Sequence, residues 1–116
     1  MKFEDLEVWK RSARLCSNIY KTMNSCIDYS FRDQLTTASL SIQSNIAEGF
    51  EMASDKECIR FLSYSKRSCG ELLTQIYIGI ESNYIKTDTG KRWIKEAKEI
   101  FSKIAGLMKT KRNFLV

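Results

Sequence analysis

Four polar side chains recur at helical spacing within an apolar segment of the sequence. They are Gln34, Ser41, Asn45 and Glu48, and the last three fall in the stretch SIQSNIAEGF. On a helix they form one row along the edge of the apolar stripe. An amide beside a carboxylate could bind a ligand or take part in acid–base catalysis. Alternatively, the row hydrogen-bonds a neighbouring helix, because a buried polar group without a partner costs about 1–3 kcal/mol.

Catalytic chemistry has little support in the rest of the sequence. The chain contains no histidine, and Glu48 has no second carboxylate on the same helix face. The sequence shows no glycine-rich phosphate loop and no nucleophile paired with a base. We therefore favour the structural interpretation of the polar row, and we expect no enzyme activity, no cofactor and no small-molecule substrate.

The four cysteines could form a metal site or disulfides. Cys16, Cys26, Cys58 and Cys69 include no CxxC pair, and a zinc site without histidine would need such spacing. Three of them fall on apolar helical positions, where a reduced cysteine acts as a small hydrophobic residue. We expect buried thiols and no bound metal.

The composition is that of a globular protein. The chain has 116 residues, of which 43% are hydrophobic and 28% charged, which fits one domain over residues 1–116. No apolar run approaches the ~20 residues that a membrane span needs. The first residues, MKFEDLEVWK, carry acidic side chains where a signal peptide has its apolar core. The sequence thus predicts a cytoplasmic protein without membrane association.

The polar row must be positioned by helices. The chain has no proline, and turn-forming residues cluster in only three places, at 23–29, 49–54 and 83–90. Three breaks predict four helices, at about 5–24, 30–49, 55–82 and 88–112. Because short connections favour antiparallel neighbours, the predicted fold is all-α, an antiparallel up-down four-helix bundle.

The apolar spacing predicts which side of each helix faces the core. In the second helix the expected stripe ends at Gly49, a residue suited to a left-handed helix terminus. Ser54 and Glu57 form a capping-box pattern at the start of the third helix. The expected core residues of the first helix are Leu6, Trp9, Ala13, Cys16, Tyr20 and Met23, and those of the third are Cys58, Leu62, Ser65, Cys69, Leu72, Ile76 and Gly79.

Two helices carry additional apolar residues outside these stripes. Val8, Leu15 and Ile19 widen the apolar arc of the first helix, and Phe61 does the same on the third. A wide core contact would explain them. An interface with another subunit would explain them equally well, because a small bundle core cannot absorb unlimited apolar surface.

Three segments together resemble a known family. FEDLEVWKRSARL (3–15), RDQLTTASLSIQSNIAEGF (32–50) and FLSYSKRSCGELLTQIYI (61–78) resemble the 23S rRNA intervening sequence proteins, and the resemblance covers nearly the whole chain. It implies a short up-down bundle that forms cyclic homo-oligomers, pentamers in particular. Some members are encoded within large-subunit rRNA genes. A more distant branch is thought to engage RNA and a reverse transcriptase.

The positive charge of the chain is concentrated at one end of the sequence. Residues 1–85 hold ten basic and eleven acidic residues, whereas 86–116 hold nine basic and three acidic, so the whole net charge of +5 arises there. In the fourth helix, Lys91, Lys95, Lys98 and Lys109 share an arc of about 60°. We call these four residues the basic ridge. Arg92 and Lys103 flank it, next to Glu96 and Glu99.

The basic ridge supports two interpretations. A solvated helix face often carries lysines without binding anything. The concentration of charge instead favours binding of structured RNA, or of a ribonucleoprotein, through phosphate contacts and without base-specific recognition. The alternative hypothesis is a protein–protein scaffold, an adaptor ring that recruits an enzyme and does not bind nucleic acid.

Overall fold

Four α-helices account for most of the chain in the computed structural model, which describes residues 2–52 and 54–115. A 3₁₀ turn, Phe3–Asp5, precedes α1 (Glu7–Met23), which is followed by α2 (Tyr29–Glu51), α3 (Asp55–Glu81) and α4 (Thr87–Arg112). The predicted bounds differ from these by at most two residues at either end. Every regular element of the described residues is helical, so the all-α prediction is confirmed.

Local hydrogen bonds explain where the helices begin and end. Asp28 caps α2 by accepting a bond from the Phe31 amide at 3.0 Å, and Ser54 caps α3 by accepting one from the Glu57 amide at 3.2 Å. The Glu57 carboxylate pairs with Arg60 at 2.6 Å, so only half of the predicted capping box forms. After α3, Asn83 adopts a φ of 63°, a left-handed conformation that asparagine tolerates well.

The helices form the antiparallel up-down bundle that the sequence predicts. Each helix packs against its neighbour in the chain, and α1 closes the bundle against α4. Polar bonds join the pairs within the bundle: the Ser65 hydroxyl of α3 donates to the Ile42 carbonyl of α2 at 2.8 Å, and Trp93 Nε1 of α4 donates to Asn18 Oδ1 of α1 at 2.9 Å. The bundle measures 48 × 21 × 19 Å.

The core of α3 is the one that its sequence spacing predicts, since all seven expected residues are buried. In α2 the predicted stripe is buried from Leu35 to Gly49, and three polar residues join it: Thr36, Ser39 and Gln43. The hydroxyls of Thr36 and Ser39 bond to carbonyls of their own helix, which allows them to be buried without a cost in unpaired groups.

The first helix is rotated relative to its prediction. Val8, Leu15 and Ile19 are 4%, 6% and 0% exposed within the single chain. These three side chains have almost no surface left for another subunit, so the subunit-interface interpretation is wrong for them. The fourth residue of that set, Phe61, is half-buried, and its ring meets the Tyr64 ring edge-on at 5.6 Å.

Gly49 does not end α2, because the helix continues to Glu51, and among the described residues no glycine has a positive φ. Its role is close packing instead. A Cβ at this position would lie 3.2 Å from the Cys58 carbonyl oxygen and 3.3 Å from Phe61 Cβ. The small residue therefore lets the end of α2 approach the start of α3.

Within residues 2–52 and 54–115, no helix is both long enough and apolar enough to span a bilayer.

Candidate functional site

The basic ridge lies on the outer side of α4. Trp93, Ala97, Ile100 and Ile104 turn the opposite side of this helix into the core, where they are 0–3% exposed. The four lysines of the ridge are consequently exposed, as are Arg92 and Lys103. Because a helix rises 1.5 Å per residue, the ridge extends over about 27 Å from Lys91 to Lys109.

Two carboxylates of α4, Glu96 and Glu99, pair with another helix. Arg11 of α1 donates from Nε to Glu96 at 3.0 Å and from its Nη2 to both Glu96 and Glu99. The hydrogen bond from Arg11 lowers the pKa of Glu96 below its usual value and, together with the bond to Glu99, raises the pKa of Arg11. The lowered pKa keeps Glu96 ionised near neutral pH, and both glutamates pair with Arg11 of α1.

The ion pair between Arg11 and Glu96 makes the free energy of unfolding depend on pH. Because the pKa of Glu96 is lower in the folded state than its ordinary 4.5, the pair contributes its full stabilisation above pH 4.5 and loses it as the pH falls through the lowered pKa. We expect the Arg11→Met variant to melt at a lower temperature at pH 7, and to lose less stability on acidification than the wild type. Melting curves between pH 7 and pH 3 provide the measurement. Lys10→Met, at an exposed neighbouring position, should follow the wild-type pH profile, and parallel profiles for Arg11→Met and the wild type would refute this account.

The two flanking residues of the ridge differ in their surroundings. Arg92 lies 3.8 Å from Asp88, at the limit of an ion pair and largely exposed. Lys103 borders an apolar groove between α1 and α4, whose walls include Leu6 and Leu107. Neither environment removes the charge from the surface, so both residues can add to the positive field of the ridge.

Two basic residues that sequence reasoning did not assign lie beside the ridge. Lys66 and Arg67 of α3 line a groove between α3 and α4 together with Phe101, and Lys66 Nζ lies 5.2 Å from the centre of the Phe101 ring. The bond from the Cys69 thiol to the Ala97 carbonyl oxygen, at 3.2 Å, fixes this alignment of the two helices. The antiparallel register of α3 and α4 could have identified these two residues from the sequence, because it places residues 66 and 67 opposite 98–101.

The predicted polar row borders α3, as proposed from the sequence. Ser41 exchanges a hydrogen bond with Ser68 of α3 at 2.8 Å, and the Asn45 amide nitrogen donates to the Ser41 carbonyl at 2.8 Å and to its hydroxyl at 2.9 Å. Gln34 is exposed and lines the groove between these helices. Glu48 is exposed at the other end of the row. The structure thus brings Ser41 and Asn45 together and leaves Gln34 and Glu48 apart from them.

The four cysteines are free thiols, and Cys16, Cys58 and Cys69 are buried while Cys26 is half-buried. Burial raises the pKa of Cys69 to about 11 and also raises that of Cys58. A thiol is nucleophilic mainly as the thiolate. These two cysteines therefore remain protonated near neutral pH and serve packing.

Comparison with known proteins yields one family and a similar fold. The model of the 23S rRNA-intervening sequence proteins matches residues 4–106. A crystal structure of a protein of unknown function, from the S23 ribosomal protein family of Bacteroides thetaiotaomicron, superposes with a TM-score of 0.83 at 21% identity. The likeness covers 88% of this chain and 98% of that one, and it supports the four-helix fold. The search of curated proteins finds no match.

Proposed function

The chain belongs to the 23S rRNA-intervening sequence protein family, and from this premise we propose that it is a non-enzymatic, cytoplasmic bundle that binds structured RNA. The RNA would be free or part of a ribonucleoprotein, and the basic ridge of α4 would contact it. The family description associates its members with ribosomal RNA. The residues that would make the contacts are Lys91, Lys95, Lys98 and Lys109, with Arg92 and Lys103 at the flanks.

The observation that carries this proposal is the separation of charges on α4. Glu96 and Glu99 pair with Arg11, whereas the four ridge lysines form no ion pair with any described residue. A polyanion that approaches this face meets four exposed lysines, and Arg11 offsets part of the negative charge of Glu96 and Glu99. The cations condensed on the RNA are released as lysine ammonium groups take their place at the phosphates, which is the main source of affinity for sequence-tolerant binding.

We further propose that the protein acts as a homo-oligomer, a pentamer if it follows the resemblance. Repetition around a ring would multiply the ridge and its positive field. Because Val8, Leu15 and Ile19 are buried within the chain, the subunit contact would use other residues. Half-buried Phe61 remains a candidate. Size-exclusion chromatography with light scattering measures the state, and a monomer at all concentrations would refute this part.

The RNA-binding proposal is tested by titrating the protein into a fluorescently labelled RNA hairpin. With about four phosphate contacts, we expect the affinity to fall roughly a hundredfold between about 50 and 200 mM salt. Hairpins of equal length but different sequence should bind alike, because phosphate contacts carry no base information. Absence of binding at both salt concentrations would refute RNA binding by this surface.

A second candidate function, a protein–protein scaffold, is favoured by exposed apolar residues at one end of the bundle. Ile27, Tyr29, Tyr77 and Ile78 are 85%, 65%, 51% and 52% exposed, all near the α1–α2 connection or the end of α3. Tyrosine is enriched at the centre of protein interfaces, and exposed apolar side chains that lie together mark interaction surfaces. The scaffold would retain its partner when Lys95 and Lys98 are changed to Glu, whereas RNA binding would be lost.

A further inference from the structure

A groove between α3 and α4 lies beside the basic ridge and has a volume of ≈ 330 Å³. That volume is at the lower end of the range for small-ligand sites, so it suits one planar group such as a nucleobase. The bond from the Cys69 thiol to the Ala97 carbonyl oxygen places the groove at the height of Lys98, a residue of the ridge. The groove is lined by Ser63, Lys66, Arg67 and Gly70 of α3 and by Phe101 and Met108 of α4.

The charge of this groove is entirely positive. None of its lining residues is acidic, and Lys66 and Arg67 form no ion pair within the described part of the chain. Lys66 Nζ instead lies 5.2 Å from the centre of the Phe101 ring, and the Arg67 guanidinium lies against Tyr64 at 5.5 Å. Glu71, one turn after Arg67, lines the groove on the other side of α3. The α3–α4 groove therefore keeps two positive charges that can attract an anion.

The floor of the groove is open. A Cβ at Gly70 would meet no atom within 4 Å, so no described side chain packs over this position. Phe101 is half-buried and presents a face of its ring to the Lys66 ammonium. Because the stem of Lys66 is flexible, the ammonium can move aside and leave that face to a flat ligand. The groove thus combines an aromatic face, an uncovered backbone position and two cations.

We propose that this groove binds one unpaired nucleotide of the RNA whose phosphates contact the basic ridge. The base would lie against Phe101 and Gly70, and its phosphate would pair with Lys66 and Arg67. Unpaired bases are bound by stacking on aromatic side chains, whereas the bases of a continuous duplex are stacked on one another. The ridge lysines continue the positive surface of the groove, which favours a phosphate backbone over an acidic peptide. This inference rests on the proposed RNA binding and narrows it to RNA with unpaired nucleotides.

The test compares two blunt-ended RNA duplexes in a fluorescence titration. One carries a single bulged 2-aminopurine, and in the other an added uridine pairs with that base. We expect the bulged duplex to bind about tenfold more tightly, because its free base can stack in the groove. The paired duplex has one more phosphate, so charge alone would favour it slightly. Equal affinity for both duplexes, as expected if the groove serves an acidic peptide, would overturn the inference and leave RNA binding by the ridge standing. Absence of binding to either duplex would overturn both.

Two glycine variants locate the bound base. Gly70→Leu places a side chain in the groove, so the preference for the bulged duplex should disappear. Gly106→Leu is the matched control, because a Cβ there also meets no atom within 4 Å, but this glycine lines the groove between α1 and α4. Both variants replace a glycine inside a helix, so both should melt at or above the wild-type temperature. An unchanged preference in Gly70→Leu, or its loss in Gly106→Leu, would overturn the assignment of the base to this groove.

Removal of the two groove cations gives an independent measurement. Lys66→Gln combined with Arg67→Gln should weaken the bulged duplex about tenfold at low salt, because two phosphate contacts are lost. The control combines Arg14→Gln with Lys21→Gln, which removes the same charge at exposed positions of α1. This control should bind the bulged duplex nearly as the wild type does. Equal weakening in the two double variants would overturn the inference, because it would reflect net charge alone.

Discussion

Replacement of Ile19 by Asp is expected to abolish cooperative folding of the single chain. Ile19 is 0% exposed in the core of the bundle. Burial of an unpaired carboxylate costs several kcal/mol, and loss of the isoleucine packing adds about 2–5 kcal/mol. The total is comparable to the whole stability of a domain of this size, about 5–15 kcal/mol. Circular dichroism should show loss of helix or a melting temperature lowered by at least about 20 °C.

The adjacent residue provides a matched control. Tyr20 is 45% exposed, and Tyr20→Asp introduces the same charge on the next position of α1. This variant should keep its helical spectrum and a cooperative melt. The comparison also separates a core role of Ile19 from a subunit contact: a folded, monomeric Ile19→Asp protein would mean that Ile19 faces another copy, contrary to its burial here.

The first helix shows which part of the fold the sequence could not decide. Apolar residues cover nearly half of α1, so the stripe through Leu6 and Trp9 and the stripe through Val8 and Leu15 are both consistent with helical spacing. The structure buries the second stripe, together with Ser12, whose hydroxyl bonds to the Val8 carbonyl at 2.7 Å. When only the sequence is considered, a serine at position 12 suggests that this side of α1 faces solvent. Its bond within the helix is what makes burial possible.

The third helix was predictable because its apolar stripe is regular along the whole helix, although Phe61 widens it. Its seven buried residues alternate at intervals of three and four, and charged residues such as Lys56, Arg60 and Glu71 occupy the other side. The bounds of α3 follow from the Ser54 cap and from the turn-forming residues after Glu81. Where an unbroken apolar stripe and a run of charged residues lie on opposite sides of a helix, periodicity thus indicates which residues enter the core.

The candidate site was only partly predictable for a similar reason. The ridge lysines lie on one helix, so helical spacing brings them together. Arg11 reaches Glu96 across 85 positions of sequence, and Lys66 approaches Phe101 from another helix. Such contacts depend on the rotation and register of whole helices, which small differences in packing decide. Sequence spacing therefore identified the cations of α4 and missed Arg11, the partner of Glu96 and Glu99.

Neutralisation of the basic ridge should change both the affinity for RNA and its dependence on salt. The variant carries Lys→Gln at positions 91, 95, 98 and 109, all exposed, so its melting temperature should stay close to that of the wild type. Each phosphate contact contributes about 0.7–0.9 to the slope of log affinity against log salt. Loss of four contacts should therefore reduce the slope by about 3 and weaken binding at least about a hundredfold at low salt.

A control variant with the same loss of charge distinguishes direct contacts between the ridge and RNA from a general effect of the protein's net charge. It carries Lys→Gln at four exposed positions outside α4, namely Lys2, Lys10, Lys21 and Lys56. If RNA meets the ridge, this control keeps nearly the full salt slope and loses little affinity, because long-range attraction is screened within about 8–10 Å at physiological salt. Equal losses in the two quadruple variants would show that only net charge matters, and the ridge would then have no special part in binding.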